Sequence, residues 1–239
     1  MTACLSRKDM QCDHLLCHVP SPTEADVLAN FGLLSARQAM LTMEQLCEMQ
    51  SRWMGPVGTF AKLTRQVREQ GRQAPMLAEV TAIKDKHRKA VVEQAVQFVL
   101  GILWRREPAN NPFSGKQREY LCCVVFDELA DYTTVERYAA SAALRQCDGD
   151  YFSKLIATTR NTVERRIVFH GLLEHFDSLL PVERSVYPIN YRAAQQQHLA
   201  NEESLYGKLT LDRSVRELLE HFAADRLLAR LGCVKGRTV

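Results

Sequence analysis

Apolar side chains recur every three or four residues along most of the chain, and short runs rich in Pro, Gly and Asn separate these stretches, a pattern of helices joined by turns. The first helical start falls at Ser21-Pro22-Thr23-Glu24. Ser21 can cap, Pro22 suits the first helical position, and Glu24 can close a capping box. From there Val27, Phe31, Leu34, Met40, Met43, Leu46 and Trp53 predict helix up to Gly55-Pro56, with an interruption near Gly32. A short amphipathic helix is predicted over 60–72, stopped by Gly71 and Pro75.

The longest predicted helix covers 76–106. Its first half is charged, and its second half, 91–104, is apolar on nearly every face, which marks it as the central rod of the core. Beyond the turn cluster at 108–112, Ser114 and Gln117 predict a second capping box, opening a buried helix that contains 120–126 and runs on through Asp127, Glu128 and Leu129. Thr133 and Glu136 predict a third box, for a helix ending near Asp148-Gly149-Asp150. Asp150 then caps a helix over 151–180, stopped by Pro181. A Gln-rich helix over 193–206 and a final one over 212–231, closed by Gly232, complete an all-α bundle of seven or eight helices. The string Leu-Leu-Glu-His-Phe occurs at 172–176 and again at 218–222, but the flanking residues do not align, so chance recurrence in Leu- and Glu-rich helices explains it. The expected organisation is a flexible arm over 1–20, then helical parts over 21–107 and 113–232 that either divide at 108–112 or form one continuous domain.

Composition narrows the class. With 239 residues, 46% hydrophobic and 25% charged, the chain can fill a sizeable core and is neither disordered nor fibrous in character. A net charge of +3 falls short of the footprint of a dedicated nucleic-acid binder. The most apolar stretch is interrupted by Glu93, Gln94 and Gln97 and is shorter than the roughly 20 residues that span a bilayer. The first twenty residues hold no continuous apolar segment of signal-peptide length. These features predict a cytoplasmic protein without a transmembrane segment, most of its eight cysteines reduced.

Candidate chemistry is sparse. Cys12, His14, Cys17 and His18 are natural zinc ligands, although Cys-x-His and Cys-x4-Cys are not the usual zinc spacings. His170 with Glu174, and Glu217 with His221, each share a helix face at a spacing that could grip a metal, but neither makes Glu-x-x-His. Asp127, Glu128 and Asp131 read as the solvated end of a helix, with Arg137 near enough to pair with one of them. Cys122, Cys123 and Cys147 are candidate nucleophiles with His170 or His175 as base, but Cys122 and Cys123 sit in an apolar run that makes a thiol inert and read as core.

One charge asymmetry stands out. Lys62, Arg65, Arg68, Arg72, Lys84, Lys86, Arg88 and Lys89, continued by Arg105 and Arg106, outnumber the acidic residues between them and could neutralise phosphates. The expected function is therefore a non-enzymatic protein-interaction module, an adaptor or regulator with a protein partner and no cofactor. Two alternatives are a nucleic-acid-binding accessory protein using the basic stripe at 62–106, and a zinc-containing module or metalloenzyme using the N-terminal Cys/His cluster.

Overall fold

Thr23 rather than Ser21 caps the first helix in the computed structural model, which describes residues 23–104, 109–158 and 165–221. The Thr23 hydroxyl accepts from the Asp26 N–H at 3.2 Å, and the Asp26 carboxylate accepts from the Thr23 N–H at 3.0 Å, a capping box two residues further on than expected. The helix it opens, α1 (Glu24–Ala39), passes through Gly32 without a break. Thr42 and Gln45 form another box, and the side chain of each accepts from the other's N–H. The run predicted over 21–53 is therefore two helices, α1 and α2 (Met43–Met54), since a satisfied cap at Thr42 outweighs a continuous apolar pattern.

α3 (Thr59–Gln70) ends at Gly71, whose φ of 59° belongs to glycine and whose added Cβ would lie 2.6 Å from the Trp104 ring. The helix predicted over 76–106 is replaced by a 3-10 segment, Pro75–Ala82, followed by α4 (Lys86–Leu103). Leu77 and Val80 are both buried at the three-residue spacing of a 3-10 turn, and Asp85 starts α4 by accepting from the Arg88 N–H at 2.6 Å. The box expected at Ser114 does not form: Gly115 has a φ of 71°, and α5 (Arg118–Phe126) begins after it and ends before Asp127.

α6 (Thr134–Ala157) starts at the expected Thr133–Glu136 box but runs straight through Asp148-Gly149-Asp150. Asp148 is held by an arginine and Asp150 accepts from Gln146 at 2.7 Å, so neither carboxylate is engaged as a cap. The remaining helices are α7 (Arg165–Ser178), α8 (Pro181–Arg184), α9 (Tyr191–Tyr206) and α10 (Val215–His221). Pro181 opens α8 as well as closing the helix before it, as its fixed φ allows. Among the described residues there are ten α-helices, more than the seven or eight expected, and no strand. The fold is all-α, and no helix among those residues is long and apolar enough to cross a membrane.

The expected central rod is in place: Val92, Ala95, Val96 and Val99 of α4 are buried against α6, although Trp104 and Ile102 are exposed. α6 packs against α3, α4, α5, α7 and α10, and its buried Ala139, Ala140 and Ala143 let neighbouring backbones approach. The main core draws on Leu34 and Leu46 as well as Leu180 and Val182, so it takes residues from both sides of 108–112. A smaller cluster joins Tyr151, Leu155, Ile167, Val215, Leu218 and Leu219. The two Leu-Leu-Glu-His-Phe strings meet different surroundings, since His175 is buried and His221 exposed.

The turn from α5 into α6 is organised by Arg137. Its Nη1 donates to the carbonyls of Val124 and Val125 at 3.0 and 3.2 Å, and its Nη2 to those of Asp127 and Ala130 at 2.9 and 2.7 Å. Nε reaches the Tyr132 carbonyl at 3.2 Å, and the guanidinium lies over the Trp53 ring at 5.1 Å. A helix end leaves carbonyls without intrahelical donors, and the fork of Arg137 supplies them. Burial lowers the pKa of this arginine, the charges of Asp127, Glu128 and Glu136 oppose that shift, and the carbonyl dipoles and ring face also favour the buried charge. Arg137→Lys, which cannot reproduce five donors in a plane, is expected to lower unfolding free energy by about 3 kcal/mol in urea titration. An unchanged midpoint would show that the carbonyls have other partners.

Candidate functional site

Two buried polar side chains lie where α5, α6, α7 and α8 meet: Arg118, which the sequence did not single out, and His175, a candidate base in the sequence. Arg118, 5% exposed, binds Asp148 through Nε at 2.8 Å and Nη2 at 3.2 Å, and binds Glu183 through Nη2 at 2.6 Å and Nη1 at 3.3 Å. Burial alone would lower its pKa, but the carboxylates of Glu183 and Asp148 outweigh it and the net shift is upward. Glu183 also accepts from the Leu180 N–H at 2.9 Å, so one ion cluster fixes α8 to α5 and α6. With both partners in place the cluster is saturated, and its role is to hold the helices together.

His175 of α7 is 4% exposed and packed between Tyr151 and Phe152, with ring centroids 5.6 and 4.6 Å away. Its Nδ1 has no hydrogen-bond partner among the described residues. Burial, with Arg118 and Arg216 adding to it and Asp148 opposing, pushes its pKa down to about 4, so the ring is neutral at pH 7. The Cys122 thiol lies 3.6 Å from a Glu183 carboxylate oxygen, and burial raises its pKa; burial likewise raises Cys123 to about 11 and also raises Cys147. None of these thiols is activated as a nucleophile.

The other candidates disperse. Cys12, His14, Cys17 and His18 lie outside the described residues, and no group of three or more His, Cys, Asp or Glu side chains that could hold a metal occurs among the described ones. Glu174 accepts from the Val215 N–H at 2.8 and 2.9 Å, capping α10, while His170 lies 3.7 Å from Glu203. His221 Nδ1 lies 2.8 Å from the Glu217 carbonyl of its own helix. Asp127, Glu128 and Asp131 pair with Arg37, Arg52 and Arg88, and Arg137 takes carbonyls rather than any of the three carboxylates.

The basic stripe is partly neutralised. Arg72 pairs with Glu93 at 2.6 Å, and Arg88 pairs with Asp131 at 2.8 Å and Glu136 at 3.4 Å while donating to the Asp131 carbonyl. Lys62, Arg65 and Arg68 are exposed on α3, and Lys84, Lys86 and Lys89 at or before the start of α4. A cleft of about 390 Å³ between the loop before α5, α6 and α10 is lined by Lys116, Lys154 and Arg216 but also by Asp150 and Glu220, so its charge is mixed.

The surface with the most consistent chemistry is the outer side of α1. At 100° per residue, Leu28, Leu33 and Met40, with Ala25, Ala29, Gly32, Ala36 and Ala39 between them, share one face of about 140°. Leu28 is 53% exposed, Leu33 64% and Met40 86%, and the small residues are exposed too. The opposite face buries Val27, Leu34 and Gln38, with α1 packed on α5 and α8. Gln38 accepts from the Val182 N–H at 3.2 Å, which fixes the rotation of α1 about its axis. α1 is therefore apolar on two sides, and only one of them is used by the fold.

Comparison of the chain with protein-family models, curated proteins and solved structures found no match.

The burial of His175 has a consequence in acid. An unfolded chain takes up the His175 proton near pH 6.5, whereas the folded chain resists it until about pH 4. The contribution of neutral His175 is whole above pH 6.5 and falls away as the pH drops from 6.5 to 4, by up to about 3 kcal/mol. His175→Phe, which keeps an aromatic ring there, is expected to flatten the pH dependence of urea stability across that window. An unaltered slope would mean that His175 does not titrate as described.

Proposed function

We propose that this chain is a non-enzymatic helical protein-interaction module, an adaptor or regulator, whose docking surface is the outer face of α1. The observation that carries this is the exposure of Leu28, Leu33 and Met40 on a face with no charged residue, on a helix whose other side is locked into the core. Monomeric proteins seldom leave such continuous apolar surface in water, and partners cover it. The saturation of the Arg118 cluster and the raised pKa values of Cys122 and Cys123 support a structural role for the buried polar residues. Free cysteines, as at 47, 122, 123 and 147, suit a reducing compartment, and the cytoplasm is the location that fits the reading.

A second reading has its own observation: Lys62, Arg65, Arg68, Lys84, Lys86 and Lys89 are exposed with no salt bridge among the described residues. Under it the chain binds nucleic acid through phosphates, with affinity that falls steeply as salt rises.

Site-specific photo-crosslinking in cells separates the two. A benzophenone side chain at Ala29 or Ala36 is expected to give discrete protein adducts, and one at Lys62 or Arg65 none. Nuclease-sensitive adducts at Lys62 or Arg65, with none at Ala29 and Ala36, would reverse the order of the readings.

A further inference from the structure

The occupant of this face is decided by the arrangement of charge beside it. Asp26 and Arg37 are eleven residues apart, close to three helical turns, so both flank the same edge of the face, one near each end of α1. Their midpoint lies at Phe31 and Gly32, and a Cβ built on Gly32 meets nothing within 4 Å. In an antiparallel helix pair related by a two-fold axis, like edges face each other and residues equidistant from the axis meet. With the axis midway between Phe31 and Gly32, Asp26 of each copy meets Arg37 of the other. In this register Leu28 comes within one residue of being level with Ala36 of the second copy, and Leu33 within one residue of Ala29, so each large side chain has a small one beside it.

We infer from this self-complementarity that the α1 face is a homodimer interface, with a second copy of the chain docked antiparallel across Gly32. The inference rests on the interaction reading above and names the partner. Arg37 can serve both sides, because its Nη2 holds Asp127 at 2.8 Å and its other guanidinium N–H groups remain to reach out. Asp26 is exposed, and its engagement at the cap of α1 leaves its second oxygen available. Sixteen helical residues extend about 24 Å, and a pair of such helices buries less than the roughly 800 Å² per partner of a standard interface. The dimer is therefore weak and reversible, in the micromolar range, which suits a regulator whose state follows its concentration.

The full chain, followed by sedimentation velocity from about 1 to about 100 µM, is expected to show a monomer–dimer equilibrium. Ala29→Glu keeps a good helix former at an exposed position and is expected to weaken dimerisation at least about tenfold while leaving the thermal melt in place. Asp26→Lys and Arg37→Glu, each checked for folding by circular dichroism, should each weaken self-association. Their equimolar mixture should recover it to within about threefold of the unmodified chain, since lysine then meets glutamate and arginine meets aspartate. A chain that stays monomeric throughout overturns the inference, as does an Ala29→Glu variant that dimerises as tightly, or a mixture no tighter than its components. A monomer that still crosslinks to a different protein through Ala29 overturns the second copy as occupant and leaves the interaction reading standing. A monomer with no protein crosslink at Ala29 or Ala36 removes both, and one whose Ala29 crosslinks only within its own chain, as to residues 1–22, removes both as well.

Discussion

Five backbone carbonyls converge on the guanidinium of Arg137, and the arrangement of the helices follows from that convergence. α5 stops at Phe126 because the carbonyls it leaves unpaired are collected there, and the chain turns back within a few residues to begin α6 at Thr133. The turn sets the alanine-rich side of α6 against α4 and α5, and α5 in turn supplies the floor on which α1 lies. The orientation of α1, and so the outward presentation of Leu28 and Leu33, depends on this corner through a short chain of contacts.

Two buried arginines solve the problem of a charge out of water in different ways. Arg137 is held by dipoles and aromatic faces, and Arg118 by the carboxylates of Asp148 and Glu183. The first joins elements adjacent in sequence, whereas the second ties α8 to helices that precede it by many residues. His175 beside the second cluster is kept neutral, so the junction of α6, α7 and α8 holds one balanced ion cluster and one uncharged ring.

What the sequence made legible was whatever is decided within a turn or two. The Thr133–Glu136 box and the apolar rod at 91–104 stand where local chemistry put them, and the all-α class follows from them. Some misreadings come from contacts made at long range and others from local alternatives that share one pattern. Asp148-Gly149-Asp150 has the composition of a turn, but Arg118 thirty residues away engages Asp148 and α6 continues. Arg137 has acidic neighbours in sequence and takes carbonyls instead. Periodicity at 76–82 could not distinguish a 3-10 segment from an α-helix, and an unbroken apolar pattern hid the cap at Thr42. For the candidate site, the stripe at 62–89 was legible as charge, but its pairing by Glu93, Asp131 and Glu136 was not. The outer face of α1 was hidden for a related reason: the periodic pattern took in Val27 and Leu34, which are buried, together with Met40, which is exposed, and passed over Leu28 and Leu33, so only the packing of α5 and α8 settles which side is covered.

The account turns on one helix with two apolar sides, one inside the protein and one that meets another chain. Alanine methyl resonances report on both sides at once. On raising the protein concentration, the resonances of Ala29 and Ala36 are predicted to move along a saturating curve while those of Ala139 and Ala140, buried in α6, stay fixed. Resonances of Ala29 and Ala36 that do not change with concentration, or that move no more than those of Ala139 and Ala140, would contradict it.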